Sequence, residues 1–171
     1  MAAPAKLKKV IVKIKTPFLD VQGDWEADES EQQASWELYV ELVTRIAVQE
    51  LKPGEGLLRE ALSSLHDIFG ETRQILRKYG PSVAKPKGSG TLSLGSIAIQ
   101  VLNTALRPFL TKWHPILSAY ENTLSHVESP VAHEAKWGKN AELRDELNQL
   151  NVSLKEYSTL LAAAAGIPSV V

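Results

Sequence analysis

Four histidines are the side chains of this chain most suited to metal binding: His66, His114, His126 and His133. Carboxylates adjoin or lie close to three of them, namely Asp67, Glu128 and Glu134. No His-x-x-x-His or Glu-x-x-His pair occurs, and such a pair is what places two ligands on one helix face. The sequence therefore predicts no metal site and no cofactor.

Nucleophilic chemistry has little support in the residue pattern. Ser63 and Ser64 lie close to His66, but no Gly-x-Ser-x-Gly elbow accompanies them. The loop KPKGSGT, residues 85–91, lacks the Gly-x-x-x-x-Gly-Lys-Ser/Thr order of a phosphate loop, and no strand is predicted before it. The sequence favours a non-enzymatic protein, with a small enzyme as the less favoured alternative.

The middle third of the chain is strongly basic. Between Glu71 and Glu121 there is no acid, while seven cations occur: Arg73, Arg77, Lys78, Lys85, Lys87, Arg107 and Lys112. We define the first five as the basic pole, because an antiparallel bundle would collect them at one end. This pole could bind a phosphate-bearing ligand or an acidic partner, or its cations could simply complement a helix C-terminus and hydrate a loop. Nucleic acid is disfavoured because aromatic residues do not interleave with the cations.

The segment RPFLTKWHP, residues 107–115, places two prolines about two helical turns apart. Pro108 and Pro115 remove amide donors and should free the carbonyls of Thr104 and Thr111, bending the helix twice in the same sense. A ligand pocket at this bend would be lined by Arg73, Arg107, Lys112, Trp113 and His114. The alternative is that the apolar residues of the segment only fill the core.

The N-terminal segment KKVIVKIK, residues 8–15, has β-strand character because β-branched residues alternate with lysines. No second strand is predicted, and a lone strand leaves its backbone polar groups unpaired. We expect strand addition to a partner or to a second copy, through Lys9, Val10, Val12, Lys13 and Ile14. A flexible tail is the alternative, and the acidic segment that follows could fold back on the lysines.

Apolar residues recur at three- and four-residue steps in four stretches, which predict helices near 30–50, 55–79, 94–124 and 140–165. The connections between them are short compared with the helices, so neighbouring helices should run antiparallel. We therefore expect an all-α fold, an up-down-up-down four-helix bundle with a kinked third helix. Residues 1–29 would form an extended basic arm and acidic linker, and residues 30–171 the bundle.

Composition is that of an ordinary globular chain, with 44% hydrophobic and 23% charged residues among 171. The N-terminus alternates lysine with aliphatic residues and does not build the apolar stretch of a signal peptide. The longest weakly polar stretch, 92–106, contains Gln100 and Asn103 and is followed by cations, so no membrane span is expected. With no cysteine in the chain, a cytoplasmic location is predicted.

Three runs, ELYVELVTRIA, LREALSSLHDIFGETRQILRKYGP and LRPFLTKWHP, resemble a family of small, poorly characterised bacterial helical proteins associated with defence or signalling loci. The resemblance covers most of the chain from Trp36 onward. It implies a bacterial accessory protein and brings no catalytic residue with it.

These patterns together predict an accessory or regulatory subunit of a larger bacterial assembly. It would bind a protein partner, or itself, through the N-terminal strand and the basic pole. The competing hypothesis is a ligand sensor or small enzyme that binds a phosphorylated or nucleotide ligand near the kinked third helix.

Overall fold

The structure, a computed structural model, describes residues 6–45 and 48–171. The chain begins with an antiparallel hairpin of β1 (Lys8–Lys15) and β2 (Asp20–Ala27). One face of the hairpin is buried and carries the apolar side chains Val10, Val12, Ile14, Val21 and Trp25. The other face is exposed and carries lysines on β1, with Asp20, Gln22 and Asp24 on β2.

The expectation of an all-α four-helix bundle is wrong, because the segment predicted as an acidic linker is β2 and joins the core as part of a hairpin. Its acidic residues complement the lysines of β1: Lys9 lies opposite Glu26 and Lys15 opposite Asp20. Opposite charges on paired positions favour strand pairing. The charge that indicated a linker is therefore what matches this strand to its neighbour, and the arm has its partner strand within the chain.

The helical part follows the predicted order with different bounds. The elements are α1 (Glu29–Val43), α2 (Leu58–Tyr79), a 3₁₀ turn (Pro81–Ala84), α3 (Leu94–Gln100), a π-helical segment (Val101–Leu106), α4 (Arg107–Glu121), α5 (Pro130–Ala135) and α6 (Asn140–Ala165). Helix α1 packs against α6 and α2, α2 packs against α4, and α6 packs against β1. One continuous apolar core therefore joins the hairpin to the helices.

Helix α5 lies where the sequence indicated only a polar connection. Ser129 caps it by accepting a hydrogen bond from the Ala132 amide at 3.2 Å, as short polar N-cap residues do. Glu134 is buried and accepts from the Leu58 amide at 2.9 Å and from Arg144 at 3.1 Å. These bonds attach the connection to the start of α2 and to α6.

The predicted third helix is divided by the π-helical segment, which comes just before Pro108. The Arg107 amide donates to the Leu102 carbonyl, five residues earlier, so the ladder shifts by one residue at this point. Pro108 follows at once inside a continuous helical run, because Leu106 and Arg107 both have right-handed helical backbone angles. Thr104 donates its hydroxyl to the Gln100 carbonyl at 2.7 Å.

Within residues 6–45 and 48–171 the structure contains no helix with the length and apolar character needed to cross a membrane.

Candidate functional site

A cavity of about 300 Å³ lies between α2 and α4. Its walls come from the two helices alone: His66, Phe69, Arg73, Arg107, Leu110, Thr111, His114 and Pro115. The lining residues recur at three-, four- and seven-residue steps along each helix, so they share one face of it. We call this cavity the cationic pocket.

Two series of polar residues, one on each helix, meet along the contact between α2 and α4, which we call the seam. Arg59, His66 and Arg73 are spaced by seven residues on α2, and Arg107, His114 and Glu121 are spaced by seven on α4. Because the helices run in opposite directions, the series pair in layers. Arg59 bonds to Glu121 at 2.7 Å, the rings of His66 and His114 meet edge to face with centroids 6.1 Å apart, and the third layer joins the two remaining arginines.

In that third layer, Arg73 and Arg107 both lie over the ring of Phe69. Their guanidinium carbons are 5.7 Å and 5.4 Å from the ring centroid, within the range of favourable cation–π contact. Arg107 also donates through Nε to Asn103 Oδ1 at 3.1 Å. In the described part of the chain neither guanidinium forms an ion pair. Two positive charges therefore converge on one aromatic ring without a counter-charge.

The second layer supplies a neutral imidazole. Arg59 Nη1 lies 2.8 Å from His114 Nδ1, and a guanidinium can only donate, so Nδ1 accepts and the proton of the neutral ring is on Nε2. Burial, together with the positive charge of Arg59, lowers the pKa of His114. Nε2 is buried and has no hydrogen-bond partner within the described ranges.

These groups make the pocket rich in donors and poor in acceptors. Two guanidinium groups and the Thr111 hydroxyl suit an oxyanion, while Phe69 offers an apolar surface. His114 is a poor general base, because Nδ1 is occupied by Arg59 and Nε2 carries the proton. The arrangement suits binding of an anion better than bond making.

The remaining residues predicted for the kinked helix face α6 and do not line the pocket. Lys112 bonds to Glu146 at 2.5 Å. Trp113 is fully buried and donates its indole N–H to the same carboxylate at 2.8 Å. Burial is the largest single effect on the pKa of Glu146 and raises it, but these two bonds and the Lys112 charge outweigh burial, so the pKa is lowered overall. Lys112 and Trp113 join α4 to α6.

The structure divides the residues of the basic pole. Lys87 is bound by Glu31 at 2.9 Å and Asp28 at 3.1 Å, and Lys78 forms an ion pair with Glu37. The hydrogen bond from Lys78 is the largest cause of the lowered pKa of Glu37.

The other members of the pole lie at the surface or in the cavity. Arg73, Arg77 and Lys85 are all exposed. Arg73 differs from the other two in lining the cationic pocket with Arg107, which is exposed as well. The basic pole was therefore defined by closeness in the sequence, and the structure places its cations in different surroundings.

The residues predicted as the partner-binding arm lie in β1. Val10, Val12 and Ile14 are buried in the core, and Lys9 is 3.6 Å from Glu26. Lys13 is exposed. The apolar face of the strand is thus occupied by this chain's own core, and only the charged face and the outer edge stay accessible.

Arg59, His66 and Phe69 were not predicted from the sequence as residues of this site, and His66 was considered only for metal binding and nucleophilic chemistry. The signal was present in the two seven-residue series, Arg59, His66, Arg73 and Arg107, His114, Glu121. Each series by itself resembles an ordinary polar helix face. Only the antiparallel alignment of α2 and α4 shows that the two series form layers.

Within the described residues, no group of three or more histidine, aspartate or glutamate side chains is arranged to hold a metal ion. Comparisons of the chain with protein-family models, with curated proteins and with solved structures gave no match. The resemblance to a bacterial helical family stays a prediction.

Proposed function

We propose that this protein is a non-enzymatic binding protein that holds a small phosphate-bearing molecule in the cationic pocket. The observation that carries the proposal is the Arg73 and Arg107 layer. Two exposed guanidinium groups lie over one phenylalanine ring and have no acidic partner in the described part of the chain. A bound anion would supply the missing counter-charge.

Phosphate is the anion that fits this chemistry best. Guanidinium groups bind phosphate oxygens in a bidentate manner, and stacking on an aromatic ring holds the guanidinium plane in a fixed orientation. The exposed hydroxyl of Thr111 is a third donor at the wall of the pocket. A volume of about 300 Å³ is at the small end for ligand sites, so we expect a single phosphate group on a compact molecule.

The wider role that we propose is that of an accessory or regulatory subunit in a bacterial assembly, located in the cytoplasm. The sequence resemblance and the cysteine-free composition support this role. Ligand binding at the contact between α2 and α4 could then be reported to a partner through the same two helices.

Isothermal titration calorimetry with inorganic phosphate, pyrophosphate and nucleoside monophosphates tests the proposal, with sodium chloride at matched ionic strength as the reference. A ligand at one hundred times its Kd stabilises a protein by about 2.7 kcal/mol, so thermal unfolding should shift by about 5 °C or more. Arg107→Gln should weaken binding by at least about tenfold, because each charged hydrogen bond contributes about 1.5–3 kcal/mol.

Arg77→Gln is the matched control, since Arg77 is on the same helix as Arg73 and is exposed outside the pocket. It should leave the affinity within about twofold, as expected for a surface charge. Equal losses in the two variants would indicate diffuse charge attraction, and no heat or thermal shift with any phosphate compound would refute the proposed function.

A further inference from the structure

One edge of the hairpin is covered by this chain, and the other has no neighbouring strand among residues 6–45 and 48–171. Beside β2, the amides of Thr91 and Leu92 donate to the Asp24 carbonyl at 2.8 Å and 3.0 Å, and Leu92 forms a bridge with Trp25. Within the described residues β1 pairs with β2 alone. Its other side borders a groove of about 470 Å³ against α6.

The outer edge of β1 has both the backbone groups and the space to accept a strand. In an antiparallel ladder, every second residue of an edge strand directs its N–H and C=O away from the neighbour. Groups of this kind pair with an added extended segment. The α6 side of the groove is lined by Lys155, Glu156, Thr159, Leu160 and Ala163. On the β1 side Ile11 is 82% exposed.

A second copy of β1 is a poor occupant of this edge. Residues directly opposite one another in an antiparallel pair point to the same face, so the lysine-bearing face of one copy would meet that of the other. Centring the pair on Val12 places Lys9 opposite Lys15, and centring it on Ile11 places Lys9 opposite Lys13. Like charges at opposed positions destabilise a strand pair.

The residues of β2, which already pairs with β1, show which side chains can lie opposite the lysines. Opposite Lys9, Lys13 and Lys15, β2 places Glu26, Gln22 and Asp20. We propose that the outer edge of β1 binds an extended acidic segment of a partner protein, with acidic residues beside these lysines and apolar residues directed toward the groove of α6. This inference does not depend on the cationic pocket, because it uses other residues at another surface.

A fluorescein-labelled peptide of about ten residues that alternates glutamate with valine is the probe, and fluorescence anisotropy measures its binding to the full chain. The comparison peptide has lysine in place of each glutamate. Lys13→Glu with Lys15→Glu should weaken binding of the acidic peptide by at least about tenfold, since neighbouring unlike charges become like charges. Lys52→Glu with Lys85→Glu makes the same change of net charge away from the strand and should preserve binding.

Backbone amide chemical shifts of the unaltered protein provide a second measurement that does not depend on the folding of a variant. Adding the acidic peptide should shift the amides of β1 and of the facing turns of α6. Arg107→Gln should bind the peptide as the unaltered chain does, which separates this site from the cationic pocket.

Three results would overturn the proposal. One is equal binding of the acidic and lysine peptides, or no binding of either peptide. Another is shifts that lie around Phe69 and Arg107 instead of β1. The third is a concentration-dependent dimer in light scattering whose contact includes β1, which would assign the edge to a second copy.

Discussion

Glu31 is a fully buried carboxylate that joins four separate parts of the chain. It accepts hydrogen bonds from the Trp25 indole at 3.1 Å, from the Leu94 amide at 2.9 Å and from the Asp28 amide at 3.3 Å. Lys87 forms an ion pair with it at 2.9 Å. The side chain therefore connects β2, the start of α1, the loop before α3 and α3 itself.

Glu31→Gln is the sharpest perturbation of this hub, because it keeps the shape and changes only the hydrogen-bonding character. Every partner of the carboxylate is a donor, so either orientation of the glutamine amide directs its NH₂ group at two donors. Each buried group left unsatisfied costs about 1–3 kcal/mol, and loss of one partner of a buried ion pair costs about 3–5 kcal/mol. Asp28 still binds Lys87 at 3.1 Å, so we expect a loss of about 3 kcal/mol.

Urea denaturation followed by circular dichroism measures this loss. With a denaturant slope of about 1–3 kcal/mol per molar, the midpoint should fall by about 1–3 M without a change of slope. Glu29→Gln is the control on the same helix, because Glu29 is exposed, and it should cost less than about 1 kcal/mol. A loss below about 1 kcal/mol for Glu31→Gln would refute the reasoning that the carboxylate is a buried hub.

Two further predictions concern the pocket residue His114 and two glycines within helices. Because the pKa of His114 is lowered in the folded state, the unfolded chain binds this proton first, so stability should fall as pH drops below about 6.5. His114→Asn keeps an acceptor for Arg59 and should reduce this fall between about pH 7.5 and 5.5 in urea denaturation; an unchanged pH dependence would contradict it. A Cβ on Gly95 would lie 2.9 Å from Ala84, so Gly95→Ala should destabilise by about 1–3 kcal/mol. Gly70→Ala, with nothing within 4 Å of the added carbon, should stabilise the protein by about 0.5–1 kcal/mol in the same assay. A change of stability in the same direction for both variants would count against the packing argument.

The helices were predictable because their signal is local. Leu143, Leu147, Leu150 and Leu154 recur at alternating four- and three-residue steps, and each is buried in α6. The end of α2 was predictable for a similar reason, since the signal is a glycine followed by a proline. In the structure Gly80 has a φ of 74° and Pro81 follows it. In these places the residue type and its neighbours decide the conformation without help from distant parts of the chain.

The hairpin was not predictable in the same way, because the evidence for β2 lies in another strand. DVQGDWEA contains residues that are poor strand formers when considered alone, including two aspartates and a glycine. Its strand conformation comes from the opposed lysines of β1 and from burial of Val21 and Trp25. An assignment made one segment at a time could not include either contribution.

The candidate site was missed for the same reason as β2, because its evidence lies in two segments that are distant in the sequence. Arg73 and Arg107 are far apart in the sequence, and each has an ordinary explanation as a solvated helix cation. Their significance depends on the order of the layers along α2 and α4. Arg59 meets an acid in Glu121, whereas Arg73, two heptads further along α2, meets a second arginine over Phe69. An anion bound over Phe69 would supply at this end of the seam the negative charge that Glu121 supplies at the other.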